Sequence, residues 1–404
     1  MNAIKRVSGT VILNIVAAFL LLGTATCRAQ GIEWETLNKE FQDLYTAGNY
    51  DRAMVVAKKA LEVAAKTGGK NNPAVAVSTK SLALLYKSKR EYAQAELFAK
   101  KALALFEQGV GPDNPQVATE LSTLAELYYS QGKYTEAEPH YTRALAIREK
   151  ASPKDASEIA TSLNNLAGLR YAQGQYEKAE PLYTRSLAIY EKALGQSHLL
   201  VATGLNNLAA LYKTTGQFAA AEPLYKRALA IDETAAGKDS LEVAGDLNNL
   251  ASLYKQQGDF TQVEPLHQRS LAIKETALGT DHTDVALSLN NLAGLYESQG
   301  RYLPVEPLYI RSLAINERAF GPNHPSVGTS LNNLAGFYSA QDEHAKAEPL
   351  YVRALAIFEK VLGKDHPDLA VTLENLATLY RKTDRIKEAE PLEARAKAIR
   401  DIRR

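Results

Sequence analysis

The pentapeptide Leu163-Asn164-Asn165-Leu166-Ala167 (LNNLA) returns with Leu205, Leu247, Leu289 and Leu331 as its first residue, a constant step of 42 positions. A fixed internal period is a stronger guide to architecture than chain length. The 404 residues therefore read as one repeating array, not as the two or three domains their number allows. From Leu37 the chain can be ruled off every 42 residues without an insertion, at 37, 79, 121, 163, 205, 247, 289, 331 and 373. The last unit stops early at Arg404.

The unit Leu289–Ser330 shows what is repeated. Leu289, Leu292, Ala293 and Tyr296 follow the i, i+3, i+4, i+7 spacing of one buried helix face. Ser298-Gln299-Gly300 ends that helix, with Gly300 where a left-handed cap belongs. A second stretch, marked by Leu308, Leu313, Ala314 and Ile315, runs to Phe320-Gly321-Pro322, with Glu306-Pro307 in its opening turn, where proline costs little. Each unit is a helical hairpin. One hairpin cannot bury both of its apolar faces, so neighbours must stack into a continuous core. The expected fold is all-α, a solenoid of about nine helix-turn-helix repeats covering 37–404 after a short lead at 30–36. Its last unit has Glu393 and Lys397 where other units carry Tyr and Leu, which reads as a solubilising cap.

The first residues differ in kind. Lys5 and Arg6 precede an apolar run, Val11–Leu22 (VILNIVAAFLLL), and then the small residues of GTATCRAQ. This is the pattern of a secretory signal peptide spanning 1–29 and cut after Ala29. The run is shorter than the roughly 20 apolar residues a membrane span needs. The alternatives are an uncleaved anchor or lipidation at Cys27, although Thr24-Ala25-Thr26 lacks the leucine of a lipid-attachment motif. The exported chain would be periplasmic or secreted, without cysteine and without a membrane span. Loss of Lys5, Arg6 and Arg28 takes the formal charge from +1 to −2, which is not the balance of a nucleic-acid binder.

Leu-x-x-Leu-Ala-x-x-Tyr, the Gly-x-Tyr/Phe turn and the Ala after it resemble a tetratricopeptide repeat. The longer period and the string LNNLAxLY…QGxY…AEPLYxRALAI…LGxxHP are similar to the repeats of kinesin light chain, from about Thr36 to Arg404. The resemblance implies a right-handed superhelix whose concave groove holds extended peptides. Kinesin light chain carries a heptad segment ahead of its repeats, and this sequence has an export signal there. A motor-adaptor role does not carry over; a peptide- or protein-binding solenoid does.

Helical geometry separates the two asparagines. Asn290 lies about 100° round from Leu289 and Asn291 about 200°. In tetratricopeptide repeats the first direction faces the groove, so Asn164, Asn206, Asn248, Asn290 and Asn332 are expected along it, with Lys213 and Lys255. An amide can pair with both groups of a peptide backbone. Equally, these asparagines can bond to one another or to nearby backbone. Gly168, Ala210, Ser252, Gly294 and Gly336, one turn on, would leave room for a ligand. The second series, Asn165, Asn207, Asn249, Asn291, Asn333 and Asn375, is expected to tie repeat to repeat. Lys80, Lys87, Lys213, Lys255, Arg381 and Lys382, against Glu126, Glu297 and Glu374, mildly favour an acidic peptide.

No enzymatic constellation stands out: GxSxG, a phosphate loop, HExxH and a Cys–His pair are all missing. His198, His282, His324 and His366 recur at the joins between units, one per unit, too far apart to share a metal, and helix starts explain them. Arg143 and its equivalents, and the Glu-Pro glutamates from Glu138 to Glu390, recur in seven units and read as inter-repeat ion pairs. No cofactor is expected. The leading reading is an exported module that holds a protein segment in its groove. The alternative is a scaffold that assembles a complex through its convex face or ends, with nothing in the groove.

Overall fold

The computed structural model describes residues 25–68, 72–151, 156–364, 366 and 368–401. Residues 1–24, the body of the expected signal segment, lie outside the described residues. Every regular element among those described is a helix, eighteen in all. They divide into two compact units, 1–224 and 225–404, each described by itself.

Unit 1 holds α1 (Ala25–Thr46), α2 (Tyr50–Gly68), α3 (Pro73–Ser88), α4 (Tyr92–Val110), α5 (Pro115–Ser130), α6 (Tyr134–Ala151), α7 (Ala156–Ala172), α8 (Tyr176–Leu194) and α9 (Leu199–Thr214). The division falls within α10 (Phe218–Ala235). Unit 2 continues with α11 (Leu241–Gln257), α12 (Phe260–Leu278), α13 (Thr283–Ser298), α14 (Val305–Phe320), α15 (Pro325–Ala340), α16 (His344–Leu362), α17 (Asp368–Lys382) and α18 (Ile386–Asp401). Odd-numbered helices open each hairpin and even-numbered helices close it.

Sequence sets the helix ends. His198, His282 and His324 each cap a helix by accepting the backbone N–H two residues on, at 3.1, 3.1 and 3.2 Å. Asn72 and Asn114 do the same ahead of Pro73 and Pro115, prolines at the first helical position. The turn inside each hairpin needs a left-handed residue. Gly300 supplies it at φ 71°, and Asp342 and Asp384, next in the 42-residue register, adopt 59° and 58°. Aspartate tolerates that region better than most side chains.

The opening-helix face is as the spacing predicts: Leu289, Leu292, Ala293 and Tyr296 are all buried. Each such leucine contributes on the order of 1.5–3 kcal/mol. The closing helix corrects the expectation. Its buried residues in α14 are Val305, Tyr309, Ser312, Ile315 and Asn316, while Ala314 is exposed and Leu308 and Leu313 are only partly buried. Apolar residues lie all round this helix, so periodicity alone could not choose its inner face. Packing against the opening helix chooses it. Ser186, Ser270 and Ser312, inward-facing, donate to the carbonyls of Ala160, Ala244 and Ala286 at 2.6, 2.9 and 2.9 Å.

Proline placement varies too. Pro307 is the third residue of α14, as its unit reads. In α8, α12 and α16 the helix starts earlier, at Tyr176, Phe260 and His344, and Pro181, Pro265 and Pro349 sit well inside. Their rings face solvent. Pro304 explains the short α14, because the residue before a proline is steered away from helix. Leu303 is left 95% exposed.

Candidate functional site

The five first asparagines stand half-exposed between buried leucines on the opening helices. Their bonding differs from repeat to repeat. Asn164 Oδ1 accepts from Asn207 Nδ2 at 2.9 Å, and Asn332 Oδ1 accepts from Asn375 Nδ2 at 3.4 Å. At these two places the second series reaches the preceding repeat, and what it grips is the first series. Asn248 Oδ1 lies 3.1 Å from His267 Nδ1. Asn290 Oδ1 is buried with no hydrogen-bond partner, and Asn291 is exposed. Each of these partners meets the amide oxygen. The amide nitrogens of Asn164, Asn248 and Asn332 donate to no described residue.

The small residues one turn on have another occupant. A Cβ at Gly168, Gly294 or Gly336 would stand 3.5, 3.7 and 3.6 Å from the hydroxyls of Tyr183, Tyr309 and Tyr351. These tyrosines come through from the closing helix of the same repeat, rings buried, and fill the space expected for a ligand. The stripe of tyrosines is core packing that ends in a hydroxyl on the opening-helix face. His267 takes the same place in α12, and burial, with Lys255 and Lys274 nearby, lowers its pKa to about 4.

Most charges on this face are answered within the protein. Lys80 pairs with Glu120 at 2.6 Å and Lys87 with Glu126 at 2.9 Å. Glu374 pairs with Arg400, Lys382 lies 3.9 Å from Asp342, and Arg381 bonds Glu393 at 2.6 Å through Nη2. Glu393 is thus the partner of Arg381 on its own opening helix, with its carboxylate still open to solvent. Lys397 is exposed. Lys255 is exposed and Lys213 half-buried, with burial lowering the Lys213 ammonium's pKa. Glu297 is half-buried, and that burial raises its carboxyl's pKa although Tyr309 donates to it at 3.1 Å.

The repeated arginines and Glu-Pro glutamates do bridge repeats, but not to each other. Arg143, Arg269, Arg311 and Arg353 reach Glu107, Glu233, Glu275 and Glu317 at the end of the preceding closing helix, each at 2.6 Å. Glu180, Glu264, Glu306 and Glu348 instead accept from Tyr212, Tyr296, Tyr338 and Tyr380 of the following opening helix, at 2.6 to 3.1 Å.

One buried position escaped sequence reading. At three junctions a closing-helix residue bonds a residue 14 further on: Arg148 with Ser162 at 2.6 Å, Lys274 with Ser288 at 2.8 Å, Asn316 with Ser330 at 2.9 Å. Asp232 faces Asp246 at the same register, and both are buried. Its signal is variability, because the type changes at every step while its neighbours stay constant. Among the described residues, no three His, Cys, Asp or Glu are placed to hold a metal, and no helix is long and apolar enough to cross a membrane.

A tetratricopeptide-repeat sequence model matches residues 42–108, 101–150, 158–234, 244–304, 306–351 and 326–401, and a second one matches 285–326. No curated protein matches by sequence. Among solved structures, BtubC (BKLC) from P. vanneervenii is similar at 27% identity and TM-score 0.50, over 58% of this chain and 92% of that one. A putative kinesin light chain with nearly identical repeats from Podosopora anserina has 25% identity and TM-score 0.44, over 50% and 96%. The quorum sensor NprR from B. thuringiensis shares the fold at TM-score 0.59 and 14% identity, over 91% and 98%.

Proposed function

Because the chain belongs to the tetratricopeptide-repeat family, with repeats of the kinesin-light-chain kind, we propose that it is an exported binding protein, not an enzyme, which holds a segment of a protein partner along its opening-helix face. Proteins of this family are protein-interaction modules. One observation carries the choice of face: hydrogen-bonding capacity that the fold leaves unspent is collected there. The closing-helix edge is occupied by arginine–glutamate and tyrosine–glutamate latches. On the opening-helix face, the Nδ2 groups of Asn164, Asn248 and Asn332 donate to no described residue. Side-chain amides offered this way suit the carbonyls and amides of an extended backbone. Lys213 and Lys255 flank the series.

The Asn207–Asn164 and Asn375–Asn332 bonds favour the scaffold reading, in which the ladder ties repeats and partners dock elsewhere. A variant with Asn164, Asn248 and Asn332 changed to Ala separates the two. The native chain and the variant, matched for folding by circular dichroism, would be used to capture partners from native extract. A partner held by the native chain and released by the variant supports the groove. Equal capture by both assigns the ladder to architecture.

A further inference from the structure

Glu297 ends the polar face of α13, in the register that Lys255, Ser339 and Arg381 occupy elsewhere in unit 2. The Arg381 charge is met twelve residues on by Glu393. Twelve residues on from Glu297 stands Tyr309, a neutral donor at 3.1 Å. Among the described residues no lysine or arginine comes within ion-pairing distance of Glu297, whereas Glu126 and Glu374 on the same kind of face are paired. A half-buried carboxylate without a counter-ion costs stability, and glutamine would fit the same space.

A neighbouring hydroxyl also lacks a partner. Tyr351 is 98% buried, and its hydroxyl, opposite Gly336, bonds no described residue. Glu297 lies near enough for its charge, adding to burial, to raise that phenol to about 12. The group that answers a carboxylate and a phenol oxygen together carries donors and a positive charge. Acidic and apolar side chains offer neither.

We propose that Glu297, with Tyr309 and Tyr351, seats a cationic side chain, arginine or lysine, of the segment bound along α13 and α15. This rests on the binding reading given above and names the partner chemistry at one place on it. It departs from the acidic preference that the lysine count suggested, because Lys80, Lys87 and Arg381 are already neutralised.

The test is selection of a random dodecapeptide library on the full chain. Selected peptides are then measured against Glu297→Gln, Tyr351→Phe and an Asn248→Ala/Asn332→Ala double variant. Glu297→Gln keeps the side-chain shape, and its thermal midpoint should match or exceed that of the native chain. Support is an arginine or lysine at one fixed position, with affinity falling about tenfold or more on Glu297→Gln and less on Tyr351→Phe. Peptides that depend on Asn248 and Asn332 but carry no fixed basic residue, or ignore Glu297→Gln, overturn the cationic seat and leave the groove standing. If no selected peptide responds to any of these variants, the groove reading and the seat fall together.

Discussion

The junction at Arg148 and the junction at Asp232 occupy the same place in two repeats and solve burial in opposite ways. Arg148, 5% exposed, donates to Ser162 at 2.6 Å, reaches Thr119 at 3.3 Å and Ser122 at 3.4 Å, and pairs with Glu158 at 2.9 Å. A buried cation is satisfied on both sides of the junction. Asp232 instead meets Asp246, and both are buried. Two carboxyls can hydrogen-bond only if one keeps its proton. Burial first, and the nearby Glu242, raise the Asp232 pKa, and a hydrogen bond with Asp246 would act the other way. The helix register is common to both junctions and indifferent to this chemistry. What must hold is the match between the two side chains that meet.

The widest break of the comparison is Arg148→Ala, which strands Glu158 and several hydroxyls and should lower unit 1 stability by about 3–5 kcal/mol in urea unfolding. Arg148→Tyr with Ser162→Gly copies the next junction, where Tyr190 packs on Gly204 and bonds Thr161, the equivalent of Thr119. That double variant should recover most of the loss. If it is no more stable than Arg148→Ala, matched pairs are not what the junctions need.

Next comes pH. A carboxyl whose folded-state pKa is raised contributes stability that is fully present below the unfolded value and is lost as pH rises through the folded one. Unit 2 should therefore lose on the order of 1–3 kcal/mol between about pH 4 and 7. Asp246→Ser, the residue found at the following junction as Ser288, should flatten that slope. Urea midpoints at several pH values decide it, and equal slopes in both proteins would refute the shared proton.

A smaller effect sharpens the same point without charge. A Cβ at Gly328 would stand 2.9 Å from the Phe358 ring, so Gly328→Ala should cost about 1–3 kcal/mol. Adding Phe358→Asn, which copies Ala286 and Asn316 of the preceding repeat, should relieve it, as read by thermal midpoint. Least of all is Arg353→Ala, which removes an exposed pair to Glu317, an expected change within about 0–1 kcal/mol. A larger loss would mean that the latches, not the buried pairs, hold the repeats in order.

These contrasts explain what could be read from the chain alone. Repeated features average out local ambiguity. The leucine face, the glycine turn and the histidine caps recur in many units and were legible. The closing helix was misread at Ala314 because its apolar residues surround it, and only packing reveals the inner side. The glycines beside the ladder looked like room for a ligand, and the tyrosine hydroxyls that fill it come from a helix whose facing direction periodicity could not give. The pairing of Asn164 with Asn207, and of Lys87 with Glu126, depends on distances between repeats that no spacing encodes. Glu297 stood among the charged residues of the face, but its isolation became visible only once the others were seen to be paired.

The matched junctions bear on how such a gene can change. Tandem near-identical segments invite misaligned recombination, which removes or adds a whole copy in phase and leaves every leucine in register. Excision of one copy after Arg148 would set that guanidinium against Leu200 and Gly204 in place of Glu158 and Ser162. The shortened chain would keep its backbone period and carry a buried, unanswered cation. A change in the number or order of copies would thus be felt at the very positions where the copies look least alike.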